Sequence, residues 1–195
     1  MQDIREKKQM RSEDREVDYQ NLEENLMDVI KEEQAKLGYR QEEIRLYYPR
    51  SSVNHLLNLE ADAAETEDEL EDFADFTAQR LGEVKISCKK DRFCFYIPAQ
   101  GSRYVHEHTQ PEEFIRELIA LVGSHGTTMD QIRELFRSRQ ADVHMEAMNG
   151  EEFDLLIYFQ QPFEDPYYYC FKDEGCHIIY HRFLPADYAD FNFQS

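Results

Sequence analysis

The sequence predicts an α+β fold made of N-terminal helices, antiparallel β-hairpins and a central helix-turn-helix-hairpin unit, and three observations carry that prediction. Apolar residues recur at helical spacing over 17–37, and apolar residues alternate with others over 84–97. Two amphipathic helical patterns, 111–122 and 128–139, are joined by a Gly-containing turn and run straight into another alternating stretch, 143–159. Hairpins grouped beside helices, in place of a regular strand-helix alternation, separate this class from a parallel α/β sheet.

The bulk properties bound the rest. With 195 residues and 41% apolar content, the chain has enough material for one sizeable core with a helical extension. Its organisation reads as a disordered or frayed tail at 1–16, a helical segment at 17–58, an acidic linker at 59–65 and an α+β body at 66–195, packed with 17–58 as one domain. No apolar run reaches the roughly 18 residues of a membrane span, and the first residues carry no apolar leader, so the expectation is a soluble chain with no membrane partner. Four cysteines without such a leader point to reduced thiols and the cytoplasm. The net charge of −19 repels phosphate backbones and anionic membranes, which disfavours nucleic acid and favours a basic protein partner.

Each element has its local grammar. Asp18 stands at an N-cap with Val17 and Leu22 as a hydrophobic staple; Leu22, Leu26, Val29, Ile30 and Leu37 form the inward stripe, and Gly38 stops the helix. Residues 44–49 are a strand or a helix end closed by Pro49, and Ser51 or Ser52 caps a brief helix carrying Val53, Leu56 and Leu57. Thr66 and Glu69 make a capping box for a helix with Leu70, Phe73, Ala74, Thr77 and Leu81 inside and Gly82 at its end.

A loop of Lys89, Lys90, Asp91 and Arg92 pairs Cys88 with Phe93 and Ile86 with Phe95, and 103–108 continue as a third extended segment. Thr109 and Glu112 form the next box, with Pro111 in the first turn and Phe114, Ile115, Leu118, Ile119 and Val122 inward. Thr128 and Gln131 form another, for Met129, Ile132, Leu135 and Phe136. Val143, Met145 and Ala147 share a face with Phe153, Leu155 and Ile157 if Met148, Asn149 and Gly150 make the loop, with Gly150 left-handed in a G1 bulge. The last hairpin, 167–183, turns at Asp173, Glu174 and Gly175, after which Tyr188, Phe191 and Phe193 hold the tail to the body.

Residues 25–37, the Gly38-Tyr39-Arg40 turn, residues 44–49 and the Ser52-Val53-Asn54-His55-Leu56-Leu57 helix resemble a small uncharacterised bacterial family of unknown function, chiefly over 20–58. The resemblance implies a bacterial origin and brings no catalytic residues with it.

The chemistry-bearing motifs are few. All seven glycines are accounted for by helix ends and turns, leaving no phosphate-cradling loop, no nucleophile elbow and no cofactor. Cys170, Cys176, His177 and His181 look like a zinc set, but a three-residue loop pairs Lys172 with Cys176 and splits the four across the sheet, which a tetrahedral ion does not tolerate. Cys88 and Cys94 are separated by the same parity, so neither hairpin holds a disulfide. His106 and His108 would share one face of an extended segment, with Glu112 or Glu113 as a third ligand, and define a small metal-dependent hydrolase as one alternative. The helix-turn-helix-hairpin order is also that of a winged helix, whose DNA-facing cations here would be Arg133, Arg137 and Arg139.

Between Glu60 and Asp75 the chain places nine acids and no base, and Glu67, Asp68, Glu71, Asp72 and Asp75 are its candidates for meeting a basic partner. The aromatic C-terminal third, in a chain without Trp, reads as core before it reads as a ligand site. The leading expectation is therefore a binding or regulatory protein without catalytic chemistry.

Overall fold

The Asp18 side chain accepts from the Asn21 N–H and opens the first helix as its position in the sequence requires. The computed structural model describes residues 17–140, 142–149, 152–160 and 165–190. The chain divides into two compact units, Met1–Gln110 and Pro111–Ser195. That division falls after the last helix of the N-terminal half, and not within the acidic stretch 59–65.

In the first unit the order is α1 (Tyr19–Leu37), β1 (Ile44–Pro49), α2 (Arg50–Leu56), α3 (Ala63–Leu81), β2 (Lys85–Lys89), β3 (Arg92–Ile97) and α4 (Ala99–His108). The antiparallel sheet has the order β1-β3-β2. Central β3 contributes Phe93, Phe95 and Ile97 to a core closed by Leu22, Leu26 and Ile30 of α1 and Leu70, Phe73 and Leu81 of α3. The β2–β3 register is the one that residue parity gives, Ile86 opposite Phe95 and Cys88 opposite Phe93. Lys89 also pairs with Arg92, so the turn is only Lys90 and Asp91, both at positive φ (51° and 62°), as a type I′ hairpin demands.

Several buried polar groups inside this unit are paired. Buried Glu23 takes a hydrogen bond from Thr77 Oγ1 at 2.7 Å, and its other oxygen lies 2.8 Å from the Arg80 guanidinium, tying α1 to α3. Tyr48 donates to Asn25 Oδ1 at 2.8 Å and ties β1 to α1.

Four expectations are corrected here. Residues 103–108 are helical, within α4, and not extended. Helix α3 starts four residues before the Thr66/Glu69 box: Asp62 is the N-cap, with a complete capping box to Glu65, so the helix already occupies part of the stretch assigned to a linker. Neither Ser51 nor Ser52 caps α2, whose N-cap is Pro49. Leu37, at the end of the α1 stripe, is 65% exposed.

The second unit runs α5 (Glu113–Val122), α6 (Met129–Arg139), β4 (Val143–Ala147), β5 (Leu155–Phe159), β6 (Tyr168–Asp173), β7 (Ile178–Phe183) and α7 (Pro185–Asp190). The four strands form one antiparallel meander, β4-β5-β6-β7. The hairpin that would serve as a wing is therefore half of a larger sheet. Thr128 and Gln131 make the capping box of α6. Thr109 and Glu112 form no capping box for α5, whose N-cap is Glu112 itself without a side-chain bond; the Thr109 hydroxyl donates instead to the Val105 carbonyl and closes α4.

One sheet face carries Phe159, Tyr169 and Phe171, against which Phe114 of α5 and Phe136 of α6 pack. On the other, Phe153, Leu156 and Cys170 form a smaller cluster with Met148 and Tyr188. The aromatic third of the chain is thus largely core.

Val143, Met145 and Ala147 share the face of Leu155 and Ile157 as parity requires, but Phe153, expected with them, packs on the other side with Leu156 and Cys170, and Met145 pairs with Ile157 and Ala147 with Leu155, so the connection is longer than three residues. Gly150 lies outside the described residues, as do 1–16, Phe191 and Phe193. In the last hairpin Lys172 pairs with Ile179 and Asp173 with Ile178, so the turn is the four residues 174–177. Cys170 then sits directly opposite His181, which reverses the parity assigned to these two from the sequence.

Candidate functional site

Two places collect chemically capable side chains, one in each unit. The first is the outward face of α3. With residues about 100° apart around a helix, the buried stripe Thr66, Leu70, Phe73, Thr77 and Leu81 fixes which positions point away from the core. Glu67, Asp68, Glu71, Asp72 and Asp75 all do, and all five are exposed.

Three other acids of the run cap the helix or bond its neighbours. Asp62 accepts from Ala64 N and Glu65 N, Glu65 returns to Asp62 N, and Glu69 accepts from the Tyr19 hydroxyl at 2.9 Å. Burial, then the hydrogen bond and charge of Glu69, hold that hydroxyl well above the ordinary phenol range. At the edge of the acidic face Phe76 is 43% exposed, its ring 5.7 Å from that of Tyr19. The surface is therefore five carboxylates bordered by two aromatic rings, an arrangement suited to an ammonium or guanidinium group on an apolar stem.

The second place is a cavity of about 360 Å³ between the start of α6 and the β6–β7 turn. Residues 126–130 and Arg133 line one side, and Asp173, Gly175, Cys176 and His177 the other. The turn is fixed by Asp173 Oδ1 accepting from Gly175 N at 2.8 Å, by Glu174 N donating to His177 O at 3.0 Å, and by Gly175 at φ 83°. It sets Cys176 Sγ 3.0 Å from His177 Nδ1. Sequence reasoning missed this pair because its shorter turn placed Cys176 in the strand opposite Lys172.

The remaining candidates disperse. On helix α4 the two histidines point in different directions: His106 stacks on Tyr39 at 4.1 Å, whereas His108 stacks on Tyr104 at 4.4 Å and bonds the Tyr104 carbonyl through Nδ1. The shared face expected of His106 and His108 came from reading the segment as extended, and the helix removes it. Among the described residues no group of three or more His, Cys, Asp or Glu side chains is placed to hold a metal ion. Arg133 is bound to Asp130 at 2.7 Å and Arg137 lies 3.8 Å from Glu134, while Arg139 is exposed.

Asp165, beside the C-terminal aromatics, takes hydrogen bonds from the Tyr169 hydroxyl at 2.6 Å and from Tyr167 N at 3.0 Å, and burial pushes its carboxyl up. It joins the residues just before β6 to the core. Among the described residues no helix is long and apolar enough to cross a membrane.

A family model described as a domain of unknown function from E. rectale, DUF3877, matches residues 19–192. The likeness anticipated over 20–58 therefore runs through both units. No curated protein and no solved structure matches the chain.

Proposed function

The chain belongs to the DUF3877 family, and we propose that it is a binding or regulatory protein without catalytic chemistry, whose acidic α3 face receives a basic segment of a protein partner. The observation that carries this reading is the meeting of five exposed carboxylates with the exposed edge of Phe76 and Tyr19. Charge alone steers an encounter, whereas an aromatic edge beside it gives a bound lysine or arginine stem something to pack on. A cytoplasmic site of action belongs to the same reading and rests on four unpaired cysteines.

A fluorescent Lys/Arg-rich peptide titrated into the full chain tests the proposal. Glu67→Lys/Glu71→Lys/Asp75→Lys is expected to weaken binding about tenfold, the order expected for three exposed ion pairs, and Phe76→Ala several-fold further. Three reversals on the second unit, at Glu113, Glu117 and Glu174, change the net charge equally. If they weaken binding as much, only the bulk charge is at work and the α3 site is wrong.

The same reading leaves the helix-turn-helix-hairpin unit without a DNA role. A DNA-facing helix needs several cations directed at phosphates, and here Arg133 is engaged by Asp130 and Arg137 lies near Glu134. A mixed-sequence duplex at low salt is expected to show no mobility shift. Micromolar, salt-sensitive binding that disappears in Arg133→Ala/Arg137→Ala would replace this reading with a nucleic-acid one.

A further inference from the structure

We propose that Cys176 is a reactive thiol that undergoes exchange with small cationic disulfides bound in the cavity between α6 and the β6–β7 turn, with His177 taking the thiol proton. Three independent features converge. The first is access: Cys176 is exposed, whereas Cys94 and Cys170 are buried and Cys88 is half-buried. Burial pushes the Cys170 thiol up to about 12, so it stays protonated and inert.

The second feature is a base in contact. With its own proton on Nε2, His177 Nδ1 accepts from Cys176 Sγ across 3.0 Å, and an imidazole is the side chain suited to take up a proton near neutral pH. The third is a place for the co-reactant, since about 360 Å³ is the size of a small-molecule site. Asp130 and Asp173 line it, and Arg133, the one lysine or arginine among its described lining residues, is held by Asp130 at 2.7 Å. That balance admits an ammonium-bearing ligand in preference to an anionic one.

The reaction balances without an external oxidant. The Sγ proton passes to His177 Nδ1, and the thiolate attacks one sulfur of the disulfide. A new Sγ–S bond forms as the old S–S bond breaks, and the departing thiolate recovers a proton from the imidazole. One disulfide replaces another, and a second thiol reverses the step. The product is a mixed disulfide on Cys176, in the β6–β7 turn.

Cystamine is the probe, used on the full chain, with adducts located by peptide mapping. Rates are divided by those of free N-acetylcysteine, so that the intrinsic reactivity of each disulfide cancels. Cys176 is expected to react first, at least about tenfold faster than the free thiol, and with a larger relative rate for cystamine than for the dianionic dithiobis(nitrobenzoate). His177→Ala is expected to remove most of that excess. The proposal is overturned if Cys176 reacts no faster than N-acetylcysteine, if Cys88 is modified first, or if the excess survives in His177→Ala. Because the first two outcomes are read on the unaltered protein, they stand whether or not the variant folds.

Discussion

Replacing Phe136 with alanine is expected to destabilise the second unit by about 3–5 kcal/mol, as for a fully buried aromatic ring. The ring is 0% exposed and sits among Phe114 at 4.9 Å, Tyr169 at 5.1 Å, Phe159 at 5.3 Å and Phe171 at 5.9 Å. It therefore joins α6 to α5 and to two strands at once. Its removal leaves a cavity that rigid neighbours cannot fill, since a ring collapses onto a gap less readily than a Met or Leu would.

Against a total stability of about 5–15 kcal/mol, such a loss brings a domain of this size close to unfolding at ambient temperature. Urea denaturation followed by circular dichroism checks it, with Phe136→Leu as a graded step that retains part of the volume. A midpoint for Phe136→Ala equal to that of the unaltered chain would show that the ring lies outside the core. Because the pattern that placed Phe136 inside was its i, i+4 spacing from Ile132, such a result would also undo the orientation of α6 and with it the placement of Arg133 and Arg137.

What the sequence made legible was whatever local grammar decides. The Asp18 cap, the Leu22, Leu26 and Ile30 stripe and the Gly38 stop are contained within one helix, and parity settles the β2–β3 register within one hairpin. The failures arose where a side chain or a turn had two possible partners, and at the start of α3 a distant residue made the choice. Two overlapping capping boxes, Asp62/Glu65 and Thr66/Glu69, fit the start of α3 equally well. Thr66 is taken by Asn54, whose Oδ1 accepts its hydroxyl at 2.8 Å, and Asp62 is left to cap.

Thr109 likewise had one hydroxyl for two helices. The last turn was lengthened by one residue, held by Gly175 N and Glu174 N donating to Asp173 Oδ1 and the His177 carbonyl, bonds that spacing does not reveal. The Cys176–His177 contact depends on that extra residue. The acidic α3 face, by contrast, was legible because a charge run outside an apolar stripe needs no tertiary information. The exposed edge of Phe76 was not, because its helical position lies at the border of the stripe and only packing decides which side it takes.

Replacing Gly101 with valine is expected to unfold the first unit, and even Gly101→Ala should cost about 1–3 kcal/mol, the range of an overpacked core. Propensity argues the other way, since alanine within a helix is worth about 1 kcal/mol over glycine. Packing wins, because a Cβ at Gly101 would collide with the Leu81 carbonyl oxygen and come within 2.8 Å of Ile97 Cγ2 and 3.0 Å of the Leu81 carbonyl carbon. Backbone at the end of α3 has no rotamer to give, so α4 itself must move away from the core that Val105 helps to fill.

This close approach also explains why the segment was read as extended: a glycine three residues after Pro98 resembles a turn unless the neighbouring helix is known. Gly38→Ala is the control. Its Cβ meets nothing within 4 Å, and what opposes it is the backbone alone, since φ 79° with ψ 154° is a region nearly confined to glycine, a cost of about 1–3 kcal/mol. Thermal denaturation of the two alanine variants therefore separates strain from collision. No positive φ contributes at Gly101, so a loss for Gly101→Ala places α4 against Leu81 as described, and an unchanged or raised midpoint, as helix propensity alone would give, would mean that the two helices do not approach there.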